Sequence, residues 1–72
     1  MSKWLVTLSI KDKNNRHDYF KDCYVDFCKK KPTRLEIERL KRENRTYASI
    51  DINGLEHWYN PTIIFMQKLA EN

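Results

Sequence analysis

Residues 16–30 read RHDYFKDCYVDFCKK, and the period assigned to them decides the fold. Phe20, Cys23, Tyr24, Phe27 and Cys28 fall at i, i+3, i+4, i+7 and i+8, the spacing of one buried stripe on a helix. Asn14 or Asn15 can cap that helix, because a short side-chain oxygen accepts from a free first-turn N–H. Lys29, Lys30 and Lys31 stand at its C-terminal end, where positive charge complements the helix dipole. Pro32 ends it, since the residue before a proline is pushed out of the helical region. The stretch is expected to be a helix.

On its N-terminal side, Trp4, Val6, Leu8 and Ile10 alternate with Leu5, Thr7 and Ser9. Period two predicts a strand with one apolar face, ended by the polar cluster Asp12-Lys13-Asn14-Asn15. On the C-terminal side, Thr33 and Glu36 match a capping box, in which each residue satisfies the other's free N–H. A second helix is expected from Thr33 through the helix formers ERLKREN, with Glu38 and Arg42 as a favourable i, i+4 pair. Its apolar stripe is narrow: Leu35, Ile37 and Leu40.

Residues 46–59 are expected to form a hairpin around Asn53-Gly54, the favoured pair for a two-residue type I′ turn. That register sets Ile50 opposite His57, Ala48 opposite Tyr59 and Ser49 opposite Trp58. It also sets Asp51 opposite Glu56, an unfavourable like-charge pair. Asn60-Pro61 then suits the start of a last helix, with Asn as cap and Pro at the first helical position. Ile63, Ile64, Phe65, Met66, Leu69 and Ala70 supply its apolar face.

The element order is therefore β-α-α-β-β-α. It predicts an α+β fold, a small two-layer domain over residues 1–72 with a three-stranded antiparallel or mixed sheet and its helices on one face. The covered face is expected to carry Trp4, Val6, Leu8, Ile10, Ala48, Ile50, Ile52 and Leu55. The open face is expected to carry Leu5, Thr7, Ser9, Tyr47, Ser49, Asp51, Glu56 and Trp58.

Size and composition bound the function. Leu, Ile, Val and Phe make up about a quarter of the 72 residues, above the roughly 20% below which disorder is the default. One glycine in the whole chain excludes Gly-rich phosphate loops. No apolar run is long enough to span a bilayer, and the N-terminus lacks the pattern of a signal peptide. Two cysteines without an export signal point to reduced thiols in a cytoplasmic protein. The composition, rich in Lys and Asn and poor in Gly, is of the kind met in small phage and mobile-element proteins.

Chemistry finds little support. His17, Cys23, Cys28 and His57 make a Cys₂His₂ inventory, but the cysteines lie five apart on an apolar stripe, unlike the short turns of zinc sites. The same helical spacing is too wide for a Cys23–Cys28 disulfide. Inert packing fits these thiols better than nucleophilic chemistry, which wants an exposed electropositive setting. No metal, cofactor or catalytic residue is assigned. Asp18, Asp22 and Asp26 form a column at i, i+4 and i+8, suited to a solvated face, to a bound cation or to a basic partner.

Two surfaces remain. Residues 28–45 hold eight basic and three acidic residues, so the surplus charge is local. Lys29, Lys30, Lys31, Arg34, Arg39, Lys41, Arg42 and Arg45 can meet phosphates by displacing counterions. The sheet face offers Tyr47 and Trp58 with Leu5 and Glu56 beside them, a set rich in hot-spot residue types. The acids there disfavour a polyanion. The expectation is a non-enzymatic binding protein, a regulator or inhibitor docking on a protein partner, with nucleic-acid-processing machinery as one setting. Direct nucleic-acid binding by the basic segment is the rival, and a homodimer fits either.

Overall fold

The computed structural model describes residues 1–12 and 17–71, and within it the deciding stretch is a strand. The elements run β1 (Ser2–Lys11), β2 (Asp18–Phe27), α1 (Arg34–Glu43), β3 (Thr46–Ile50), β4 (Glu56–Tyr59) and β5 (Thr62–Glu71). The α+β order β-α-α-β-β-α is thus overturned in favour of a mostly β chain with one short helix. Three strands form an antiparallel sheet in the order β2-β1-β5, and β3 pairs with β4 in a separate two-stranded sheet. The polar cluster over 13–15 and the expected cap at Asn14 or Asn15 lie outside the described residues.

Residues 18–27 form a strand because β1 offers them a complete ladder. The register runs from Ser2 opposite Phe27 to Lys11 opposite Asp18 without a break. Side chains alternate across a strand, so the helical stripe is split. Cys23, Val25 and Phe27 point to the covered side with Val6, Leu8 and Ile10, while Phe20 and Tyr24 stay exposed. Tyr, Phe and Val also fit a pleated surface better than a helix.

The expected last helix is likewise a strand. The run Thr62-Ile63-Ile64-Phe65 is β-branched and aromatic, and it pairs with β1 from Thr62 opposite Ser9 to Glu71 opposite Ser2. Two register shifts, between Lys3/Trp4 and Thr7/Leu8, leave Leu69 and Ile64 as extra residues on β5. Bulges of this kind break strict alternation. Pro61 joins β4 to β5 rather than opening a helix, a position where its missing N–H costs no ladder bond.

The expected strand at the N-terminus and the expected helix after Thr33 are both found. Glu36 donates its N–H to Thr33 Oγ1 at 3.3 Å, and Thr33 donates its N–H to Glu36 Oε1 at 3.1 Å. The other Glu36 oxygen accepts from the Cys28 N–H at 3.1 Å, tying the helix start to the end of β2. These backbone bonds, Thr33 first and Cys28 second, hold the Glu36 carboxyl below its ordinary value.

Helix α1 lays Leu40 and Ile37 on the sheet. The core is Val6, Leu8, Ile10, Phe27 and Leu40, with Trp4, Cys23, Val25, Ile37, Ile63 and Met66 packed around it. Ser2 closes one end. Its hydroxyl donates to the Lys29 carbonyl and accepts from Trp4 Nε1 at 2.9 Å. Of the residues expected on the covered face, Ile50, Ile52 and Leu55 are exposed instead. They lie at the end of β3 and in the segment joining it to β4, which the helix does not cover. The side of the three-stranded sheet away from α1 is largely bare: Phe20, Tyr24 and Phe65 are exposed there, and Lys11 at its end meets Tyr59 of β4.

Candidate functional site

The β3–β4 hairpin has few contacts with the rest of the molecule, which measures 48 × 24 × 12 Å along its principal axes. Its register differs from the two-residue turn expected. Ile50 pairs with Glu56, Ser49 with His57, Tyr47 with Trp58 and Thr46 with Tyr59, which leaves Ala48 as an extra residue. The loop holds three residues, Ile52, Asn53 and Gly54. Asp51 donates its N–H to the Leu55 carbonyl at 2.9 Å, and Gly54 donates to the Asp51 carbonyl at 3.0 Å. Gly54 takes the left-handed backbone at φ +83°, the position that a glycine fills in such loops. The like-charge opposition of Asp51 and Glu56 disappears with this register.

Asp51 organises the loop from within. Its Oδ1 accepts from the Asn53 and Leu55 N–H groups at 2.9 Å each, and its Oδ2 lies 3.1 Å from His57 Nε2. The Leu55 N–H bond, followed by the His57 contact, holds the Asp51 carboxyl below its ordinary value. A loop fixed this way presents its outward side chains in one arrangement. Ile52 is fully exposed at 100%, and Leu55 and Ile50 at 62% and 58%. Single exposed apolar residues are ordinary, but three at one hairpin tip are a patch.

Behind the tip, Tyr47 and Trp58 pack edge to face with ring centroids 5.3 Å apart. Both keep more than a third of their surface open. The Arg45 guanidinium lies over the Trp58 ring at 4.3 Å from its centroid. Glu56 is exposed on the same strand. Tyr47, Trp58 and Glu56 are therefore brought together as expected, and the direct Tyr47–Trp58 pairing is closer than the expected register implied. Leu5 is not with them. It sits on β1, opposite Tyr24 and Gln67 on the bare side of the other sheet.

The basic segment is divided. Lys29, Lys30 and Lys31 precede α1, and Lys30 Nζ is 3.8 Å from Glu71. Arg34 pairs with Glu38 and Arg39 with Glu43, both i, i+4. Glu38 is thus taken by Arg34 and not by the expected Arg42. Lys41, Arg42 and Arg45 remain without an ion pair among the described residues. They line an open cleft with Glu38 and Asn60 at the root of the hairpin. One end of the basic segment and the aromatic pair thereby form a single surface, a juxtaposition the sequence reading kept apart.

His57 is engaged in the hairpin loop, while Cys23 lies on β2 and Cys28 just after it, and neither thiol is in a disulfide. Among the described residues no three His, Cys, Asp or Glu side chains are grouped to hold a metal ion. No helix among them is long and apolar enough to cross a membrane. The exposed tip residues were in the sequence as Ile50, Ile52 and Leu55. Their alternation assigned them to a core, and only the separation into two sheets exposes them. Compared with known proteins, the chain matches no family model, no curated protein and no solved structure.

Proposed function

We propose that this is a small non-enzymatic docking protein, a regulator or inhibitor that inserts its β3–β4 hairpin into an apolar cleft on a partner protein. The observation that carries the reading is the internally hydrogen-bonded loop with Ile52 bare at its tip and Leu55 and Ile50 beside it. Burying an aliphatic side chain of this size yields about 1.5–3 kcal/mol, and a loop already ordered by Asp51 loses little entropy on binding. Tyr47 and Trp58 supply the anchoring rings behind the tip. Lys41, Arg42 and Arg45 at the root favour a cleft with carboxylates on its rim. Occupying a cleft without chemistry inhibits whatever that cleft serves. The free thiols Cys23 and Cys28 suit the reducing cytoplasm.

The hairpin itself argues against a polyanion, because residues 46–59 carry Asp51 and Glu56 and no Lys or Arg. The test starts from capture on the immobilised chain, with and without nuclease. The captured protein is then purified and titrated against the wild-type chain, Ile52→Asp and Trp58→Ala. One-to-one binding that survives nuclease and weakens by about thirtyfold, roughly 2 kcal/mol, in each variant is expected. Capture abolished by nuclease, or affinity unchanged in both variants, overturns the proposal. Nuclease sensitivity with a steep salt dependence would instead favour nucleic-acid contact through Lys41, Arg42 and Arg45.

A further inference from the structure

We infer that the free edge of β2 takes up an extended, cationic segment of a partner protein as a fourth strand. Strand β2 ends the sheet on that side, so one row of its backbone N–H and C=O groups has no strand partner among the described residues. Such an edge is a template for strand addition, in which main-chain bonds give affinity and alternate side chains give selectivity. The bare-face residues of β2 are, in order, Asp18, Phe20, Asp22, Tyr24 and Asp26. Acid and ring alternate along the whole strand. Phe20 and Tyr24 are 72% and 69% exposed, which no internal packing explains.

The strand already paired with β2 shows what chemistry fits opposite it. On the same face β1 sets Lys11 opposite Asp18, Leu5 opposite Tyr24 and Lys3 opposite Asp26. Cross-strand pairs of opposite charge, and of ring with aliphatic, stabilise a ladder. Among the described residues β1 makes one side-chain hydrogen bond to these acids. Asp22 accepts from Thr7 Oγ1 at 2.7 Å, Lys11 Nζ lies 4.7 Å from the Tyr59 ring centroid, and neither Asp18 nor Asp26 forms an ion pair among the described residues. The one cation of β2, Lys21, is on the other face and donates to Asn44 Oδ1. Three aspartates, two of them with a lysine opposite on β1, thus lie along an open strand edge.

An added antiparallel strand with Lys or Arg at every fourth position, and apolar residues midway between, would set cations opposite the aspartates and side chains against the rings. Arginine planes can also stack on Phe20 and Tyr24. Towards Asp26 the strand borders the groove where Glu36, Arg39 and Glu43 of α1 face β2, so the pairing centres on Asp18–Tyr24. No hairpin strand pairs with β2, and the inference stands without the hairpin proposal.

The probe is a synthetic peptide of that pattern with Thr in the remaining positions, titrated into the full chain and followed by amide NMR. Shifts and slowed hydrogen exchange confined to β2 are expected, and Asp18→Asn with Asp22→Asn should weaken binding by about five- to tenfold. A peptide N-methylated on the main chain facing β2 should bind at least about tenfold more weakly, because strand addition needs those N–H groups. Ile52→Asp should bind the peptide like wild type, which separates this inference from the hairpin proposal. No binding, or equal binding by the N-methylated or order-scrambled peptide, overturns it. Self-association of the Asp→Asn variant without peptide binding does so too, by showing that the aspartates only guard the edge.

Discussion

Arg45 lies over Trp58, its guanidinium carbon 4.3 Å from the ring centroid, and so couples the end of the basic segment to the root of the hairpin. A guanidinium is planar and less strongly hydrated than an ammonium, so the two are not equivalent over a ring. Arg45→Ala is expected to cost about 0.5–1 kcal/mol in urea unfolding, the range for an exposed cation–π pair. Arg45→Lys should recover part of that loss. The Trp58 indole N–H resonance should shift in both variants. The Trp4 indole N–H, which donates to Ser2 Oγ, should not move and serves as the internal control.

Acid should loosen the hairpin loop and the start of α1 before the sheet. Asp51 and Glu36 both have carboxyls held below their ordinary values of 3.8 and 4.5 by backbone N–H donors. A carboxyl lowered in the folded state contributes stability that is complete above its ordinary value. That contribution is lost as pH falls through the lowered folded value. Amide shifts of Asn53, Leu55 and Cys28 should therefore move as pH falls below the ordinary carboxylate range. Asp51→Asn, which keeps an acceptor oxygen but no charge, should flatten the titration at Asn53 and Leu55 and leave that at Cys28. A Leu55 amide that titrates unchanged in Asp51→Asn would remove Asp51 as the cause.

The two thiols should react at different rates. Cys28 is exposed after the end of β2, with Lys29 next in the chain, whereas Cys23 is half-buried on the covered side against the core. Thiolate access governs labelling, and a core-facing thiol reacts only through local opening. Cys28 should be modified at nearly the rate of the unfolded chain, and Cys23 at least about tenfold more slowly. Mass spectrometry of the partly labelled protein reads the order directly. Equal rates would mean that α1 does not cover β2 at Cys23.

Much of the local chemistry was legible in the sequence. The alternation of Val6, Leu8 and Ile10 and the Thr33–Glu36 box each describe a one-face or one-turn signal that neighbours cannot mask. The misreadings at β2 and β5 have identifiable causes. On β2 both faces carry rings, Phe27 inward and Phe20 and Tyr24 outward, so period two is hidden and a helical stripe emerges by coincidence. On β5 the extra residues Ile64 and Leu69 shift the phase twice, and a broken alternation resembles a broad helical face. The aromatic surface was half legible: Tyr47 and Trp58 were read onto one face, but the expected register set Ser49 opposite Trp58, and Leu5 was joined to them on the premise of a single sheet.

The two readings of residues 16–30 can be separated by Phe20 and Phe27, seven residues apart. A helix places them on one buried stripe and predicts similar losses for each. The strand places Phe27 in the core at 2% exposure and Phe20 on the bare face at 72%. Phe27 also packs at an angle against Trp4, with ring centroids 6.4 Å apart. Phe27→Ala should cost about 3–5 kcal/mol, as large-to-small changes in cores do. That is comparable to the whole stability of a chain this size, about 4–11 kcal/mol, so Phe27→Leu is the safer variant, with a smaller loss of the same sign. Phe20→Ala should stay within about 0.5 kcal/mol of wild type. Urea midpoints at a common slope measure all three. Equal destabilisation by Phe20→Ala and Phe27→Ala would place both rings inside and remove the bare face on which the β2 edge inference rests.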